Sequence, residues 1–285
     1  MSSDAFINWK IKKTTMKTIY STILFLLIMI NCATATPPPD PMPTHETINI
    51  DSKILGEIRV INVWTPSIYQ NKNESLPVLY MPDGGEKEDF PHIANTLAEL
   101  IAAKKIPPTI LVGIENTQRR RDLTGPTEVA TDKEIAPIVG GSANFRNFIQ
   151  KELIPEINQK YRTNSEKGII GESLAGLFVT ETFLVEPDLF DYYIAFDPSI
   201  WWNDHELEKT AKDHLAKFPT TEKRFWFAGS GTDSILNSTR NLADTINKAG
   251  LRNLKWFYAD EPKEKHNTIF RATKENAMIW TMNKN

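Results

Sequence analysis

One stretch carries residue types whose spacing could do chemistry: Gly171-Glu172-Ser173-Leu174-Ala175-Gly176, set between a short apolar run and a run with helical character. This is the outline of a nucleophile elbow. In such a turn the serine occupies strained backbone between strand and helix, its hydroxyl is raised above the sheet edge, and small neighbours let strand and helix approach closely. The usual spacing is G-x-S-x-G, and here Ala175 stands at the last position. Serine also caps helices well, so these six residues alone fit an ordinary strand–turn–helix too.

A serine hydroxyl needs a base to attack at neutral pH. There are five histidines, and His45 and His92 precede the serine, whereas acid and base follow it in the chain order of an elbow hydrolase. Of the remaining three, His214 lies mid-helix among Lys212, Asp213 and Lys217, and His205 follows Trp201-Trp202-Asn203-Asp204 at a helix start. His266 sits between the last strand and the last helix, at the sheet edge where open α/β sheets place their sites, and is the expected base. The expected acid is Asp233, which closes the Gly229–Asp233 loop, although Asp233 would also make a good helix N-cap. Asp260 and Glu261 are the next choices, Asp197 a weaker one, and a bare Ser–His dyad stays open. An oxyanion hole calls for two backbone donors: Leu174 N–H at the start of the elbow helix, and Gly85 N–H from the Pro82-Asp83-Gly84-Gly85 loop.

The elements that would position these groups alternate along the chain. Strands are expected at 57–64, 76–81, 109–114, 168–170, 192–196, 224–228 and 254–258. Helices are expected at 90–104, 144–161 with a break near Pro155, 174–185, 204–218, 234–249 and 267–282. Such alternation implies an α/β fold with a mostly parallel sheet. The chain has 285 residues, 40% apolar and 24% charged, with a net charge of −3, so composition points to neither nucleic acid nor a solvating acidic tail.

Residues 1–35 read as a secretory signal: lysines, the apolar run 23–30, then Ala33-Thr34-Ala35, with Met16 an alternative start. An exported protein, periplasmic or secreted, is expected. Cys32 is the residue a lipid anchor would use, and as the single cysteine it excludes a disulfide framework. Residues 36–45 form a proline-rich tether, and 46–285 a single domain. Metal-ligand spacing, a P-loop and a dinucleotide fingerprint are all missing from the sequence, so no metal or cofactor is expected.

The Asp83-Gly84-Gly85 loop, the strand end Val112–Asn116, Arg121-Asp122-Leu123-Thr124, the elbow, Pro198–Trp202 and the late His266 occur in an order that resembles the "putative esterase" family of α/β hydrolases, which includes esterase D and the enterochelin (trilactone siderophore) esterases. The resemblance covers roughly 46–282. It implies the α/β-hydrolase fold, a small-molecule ester substrate, Ser173 as nucleophile and His266 as base. Departures are Ala175, Glu172 where histidine is common, and Gly125 inserted before Pro126. Within it, Arg121 is expected either to pair with Asp122 or to bind an anionic or catecholate group, and Trp201 and Trp202 to stack on an aromatic acyl group or to fill the core. The reading is a serine esterase. An acyltransferase using the same serine and histidine, or a surface-binding protein with a dead site, are the alternatives.

Overall fold

A computed structural model describes residues 40–70 and 73–283. The expected signal segment 1–35, with Met16 and Cys32, and residues 36–39 of the expected tether lie outside the described residues. Residues 40–45 are held against the domain. Asp40 pairs with Arg271, Asn95 donates to the Pro41 carbonyl, and His45 packs edge-on against Phe90.

Eight strands form one sheet in the order β1-β2-β4-β3-β5-β6-β7-β8, with ranges β1 Glu46–Ser52, β2 Glu57–Trp64, β3 Leu76–Pro82, β4 Ile110–Ile114, β5 Thr163–Glu172, β6 Tyr192–Phe196, β7 Lys223–Ser230 and β8 Leu254–Glu261. β2 runs antiparallel to β1 and β4, and every pair from β4 to β8 is parallel. The chain has the α/β-hydrolase fold.

The central strands are continuous apolar runs because both of their faces are covered. In register, Leu79 faces Leu111 while Tyr80 faces Val112 and Ile169. Alternate residues then feed opposite layers. Tyr80, Val112 and Ile169 join a core with Phe178, Phe183 and Phe225. Leu79, Leu111 and Ile170 join a second core with Phe90, Leu97, Trp226 and Phe270. The second core is closed by α1 (Phe90–Ala102) and the last helix, Ile269–Met282. Phe90, Ile93, Ala94, Leu97 and Leu100 make the buried stripe of α1, at the three-and-four spacing that puts residues on one helix face.

Three features depart from expectation. β1 occupies the first residues of the domain, where no strand is expected from the sequence. The helix expected over 144–161 is Ser142–Phe148 and Ile154–Lys160 joined by a π-helical stretch Ile149–Leu153, next to Pro155, whose missing N–H cannot bond back to the preceding turn. The helix after β6 begins at Trp202 and runs to Leu215, but Asn203, Asp204 and His205 have φ of 50°, 50° and 61°, so its first turn is left-handed. Among the described residues no helix is long and apolar enough to cross a membrane.

Candidate active site

β5 ends at Glu172 and the helix Leu174–Val185 starts two residues later, leaving Ser173 alone in the turn. Ser173 has φ 61° and ψ −118°, strained for a residue with a side chain. The turn is fixed on both sides: Ser173 N–H donates to the Phe196 carbonyl (2.9 Å), and the Ser173 carbonyl accepts from Leu177 N–H (2.8 Å) and Ser199 N–H (3.1 Å). The small residues are steric requirements. A Cβ on Gly171 would lie 2.6 Å from the Ala175 carbonyl carbon, and one on Gly176 would lie 2.8 Å from the Phe196 oxygen. Ala175 fits because Gly171 yields the space beside it.

Ser173 Oγ lies 3.0 Å from His266 Nε2, and His266 Nδ1 lies 2.8 Å from Asp197 Oδ2. A buried carboxylate only accepts, so Nδ1 carries the proton and Nε2 is left to accept from the serine hydroxyl. Asp197 is fully buried at φ 44°, immediately after β6, and its oxygens accept from Ser230 N–H (2.6 Å) and the Ser230 hydroxyl (2.7 Å). His266 N–H donates to Thr232 Oγ1 (3.2 Å), and Gly231 N–H donates to the Glu264 carbonyl (3.0 Å), which fixes the histidine loop to the loop after β7. The Asp197 hydrogen bond raises the His266 pKa, and the charge of Glu172 raises it further.

Glu172 belongs to a group of carboxyls behind the elbow. Burial pushes Glu172 up to about 7 and Asp89 up to about 6, and it raises Glu88 as well. Arg119 reaches this group with two 2.7 Å bonds to Asp83, and Asn116 bridges Asp83 and Glu88.

The structure corrects three assignments. Asp233 is exposed at the start of the helix Asp233–Ala249 and Asp260 pairs with Arg240 at the surface; the imidazole's partner is Asp197. The reason is strand adjacency: Glu172 pairs with Phe196, so the residue after Phe196 stands beside the serine, while β7 is one strand farther away. An aspartate directly following an all-apolar strand was the available signal. Gly85 N–H is already engaged by Glu88 Oε2 at 2.7 Å, and Gly84 N–H by the Ile114 carbonyl at 3.0 Å. The two glycines answer to packing, since a Cβ on Gly84 would lie 2.3 Å from Gly113 Cα. Leu174 N–H opens the elbow helix, where first-turn N–H groups have no intrahelical partner. Arg121 bonds to Asp122 (2.7 Å) and to both oxygens of Glu57 (2.6 and 3.1 Å), beside the fully buried Arg59, which also pairs with Asp122. Its guanidinium is therefore occupied by the domain itself.

Ser173, His266, Leu174, Trp201 and Trp202 share a pocket of about 320 Å³ whose rim includes Arg119 and Arg120. Arg119, two residues before the arginine singled out from sequence, is the one that both touches the carboxyl group and lines the pocket. Among the described residues no cluster of His, Cys, Asp and Glu has the makings of a metal site.

A family model described as "Putative esterase" matches residues 52–281. The ferri-bacillibactin esterase BesA of Bacillus subtilis is 31% identical over 166 residues, 48% of this chain and 55% of its own length. The siderophore triacetylfusarinine C esterase of Aspergillus fumigatus is 30% identical over 186 residues, 59% of this chain and 60% of its own. The chain thus spans little more than half the length of these relatives. Among solved structures, an IroE-like serine hydrolase from Shewanella oneidensis superposes with a TM-score of 0.76 at 25% identity, covering 83% of this chain and 79% of that one.

Proposed function

The chain belongs to the "Putative esterase" family, and from that premise we propose that it hydrolyses carboxylic esters of small molecules through an acyl-enzyme on Ser173. The observation that carries the proposal is the continuous Ser173–His266–Asp197 relay, with separations of 3.0 and 2.8 Å. His266 Nε2 takes the hydroxyl proton as Oγ attacks the ester carbonyl. Asp197 holds the ring in the required tautomer and balances the imidazolium charge. Leu174 N–H stabilises the oxyanion. The imidazolium then protonates the departing alcohol, and the C–O bond breaks. Water, deprotonated by the same histidine, attacks the acyl-enzyme and releases the acid, restoring Ser173.

One relative is named a ferri-bacillibactin esterase and another a siderophore triacetylfusarinine C esterase, which supports an iron-chelating ester as the substrate class. The Trp201 and Arg119 wall suits an aromatic, anionic arm of such a molecule. The order of charges, apolar residues and small residues in 1–35 supports export, with Cys32 offering a lipid anchor.

The test is hydrolysis of an ester panel by wild type beside Ser173→Ala, with simple p-nitrophenyl esters and a trilactone siderophore, both iron-loaded and iron-free. Turnover by wild type and its loss in Ser173→Ala supports the reading. Equal rates in both proteins, or failure of a fluorophosphonate to label wild type, overturns it.

A further inference from the structure

A second cavity of about 350 Å³ lies beside the catalytic pocket, between the elbow helix and the helix Trp202–Leu215, with Leu177, Val185 and Leu207 on its walls and Glu181, Glu206 and His214 among them. Trp202 is the residue that the linings of the two cavities share. On the elbow helix, Leu174 faces the front pocket and Leu177, one turn on, faces the rear cavity. The two spaces are therefore neighbours that meet at Trp202.

That indole is held firmly. Trp202 is 5% exposed, and its Nε1–H donates to the Gly125 carbonyl at 3.0 Å. The left-handed residues 203–205 follow it directly, and such backbone persists only where its surroundings over-determine it. Here they do: Asn203 N–H donates to Asp132 Oδ2 (2.9 Å), the Asn203 side-chain oxygen accepts from Glu128 N–H (3.1 Å), and Thr127 donates to the same Asp132 oxygen (2.7 Å). His205 Nδ1 is anchored by Ser238 (3.0 Å).

We infer that Trp202 is a fixed partition that sets the length of acyl group the site accepts, and that the rear cavity, partly open to solvent at its far side, can receive a linear aliphatic chain once the indole is removed. The inference rests on the esterase reading. In that reaction the leaving alcohol stays within reach of His266 Nε2, so the acyl arm extends away from His266 toward Leu174 and Trp202. An indole there stops a straight chain after a few carbons and tolerates compact or aromatic groups. A hydrophobic pocket discriminates by roughly 10- to 200-fold per methylene gained or lost.

The experiment measures kcat/KM on p-nitrophenyl esters from acetate to dodecanoate for wild type, Trp202→Ala and Trp202→Leu. It adds Leu207→Phe alone and combined with each Trp202 variant, with folding checked by circular dichroism and fluorophosphonate labelling. The expected result is a rise of at least about tenfold in the octanoate-to-acetate ratio on opening the partition. Leu207→Phe should reverse that rise in the combined variants and leave the wild-type profile unchanged. A parallel series of acetates with lengthening alcohols should not shift. A ratio that stays constant in a labelled variant, a uniform fall at all lengths, or a shift confined to the alcohol series overturns the inference. Trp202→Leu keeps apolar contact with the surroundings and serves if Trp202→Ala does not fold. If wild type hydrolyses no ester, it is the underlying esterase reading that fails.

Discussion

Asp197 Oδ2 accepts the Nδ1 proton of His266 at 2.8 Å from the end of β6, the strand that pairs directly with the one carrying the serine. The Asp197 carboxylate is wholly buried, while His266 remains partly open to the pocket.

Exchanging Asp197 for asparagine should keep the shape and reverse the tautomer. Expected is a fall in kcat of about 10⁴, the scale of that change in other triads. Asp233→Asn should stay within a fewfold of wild type. Steady-state kinetics of the two variants on one ester decides between the candidate acids, and similar losses in both would contradict the assignment.

The acid limb of the pH profile should respond to Glu172. Neutral imidazole is the working form, so kcat/KM falls as pH drops through the His266 pKa, which is held above its ordinary value first by Asp197 and then by Glu172. Glu172 itself is pushed up to about 7 by burial, so the wild-type limb belongs to the two groups jointly. Glu172→Gln removes a negative charge, loosens the proton on His266 and should move the limb to lower pH. Rate profiles over about pH 5 to 9 show the shift, and an upward or absent displacement would contradict the coupling.

Arg121→Ala should act on stability. It removes bonds to Asp122, which is 1% exposed, and to Glu57, while Arg59 remains on both. A loss of about 1–3 kcal/mol is expected for charge-assisted hydrogen bonds of this kind. Urea unfolding measures it. Kinetics on neutral and anionic esters should change by the same factor, and selective loss on anionic esters would restore a recognition role.

Gly171→Ala should disable the elbow, because the added methyl would meet the Ala175 backbone at 2.6 Å. Strand and helix would have to part, carrying Ser173 Oγ away from His266. Fluorophosphonate labelling of soluble variant protein should fall by orders of magnitude; normal labelling would show that the close approach is dispensable.

Much of the fold was legible because buried parallel strands leave unbroken apolar runs. β2, β6 and the helix Leu174–Val185 have the limits their sequence patterns suggest. β1 escaped because only Ile48 and Ser52 are buried along it, so its composition resembles a loop. The helices Arg119–Leu123 and Ala130–Ile135 are too short to repeat a hydrophobic period. The left-handed turn after Trp202 has no apolar signature at all. Within the candidate site, the meeting of Ser173 and His266 is legible from chain order. Asp197 is not distinguished by the sequence because chain order does not say which strand end lies beside which, and Arg121 is not told apart from Arg119 because a run of arginines does not reveal which one turns inward.

The end of β7 and the residues just after it hold two groups at once: Ser230 donates to Asp197, and Thr232 accepts from the main chain of His266. Loosening residues 230–232 by warming or by mild denaturant would therefore disarm both together.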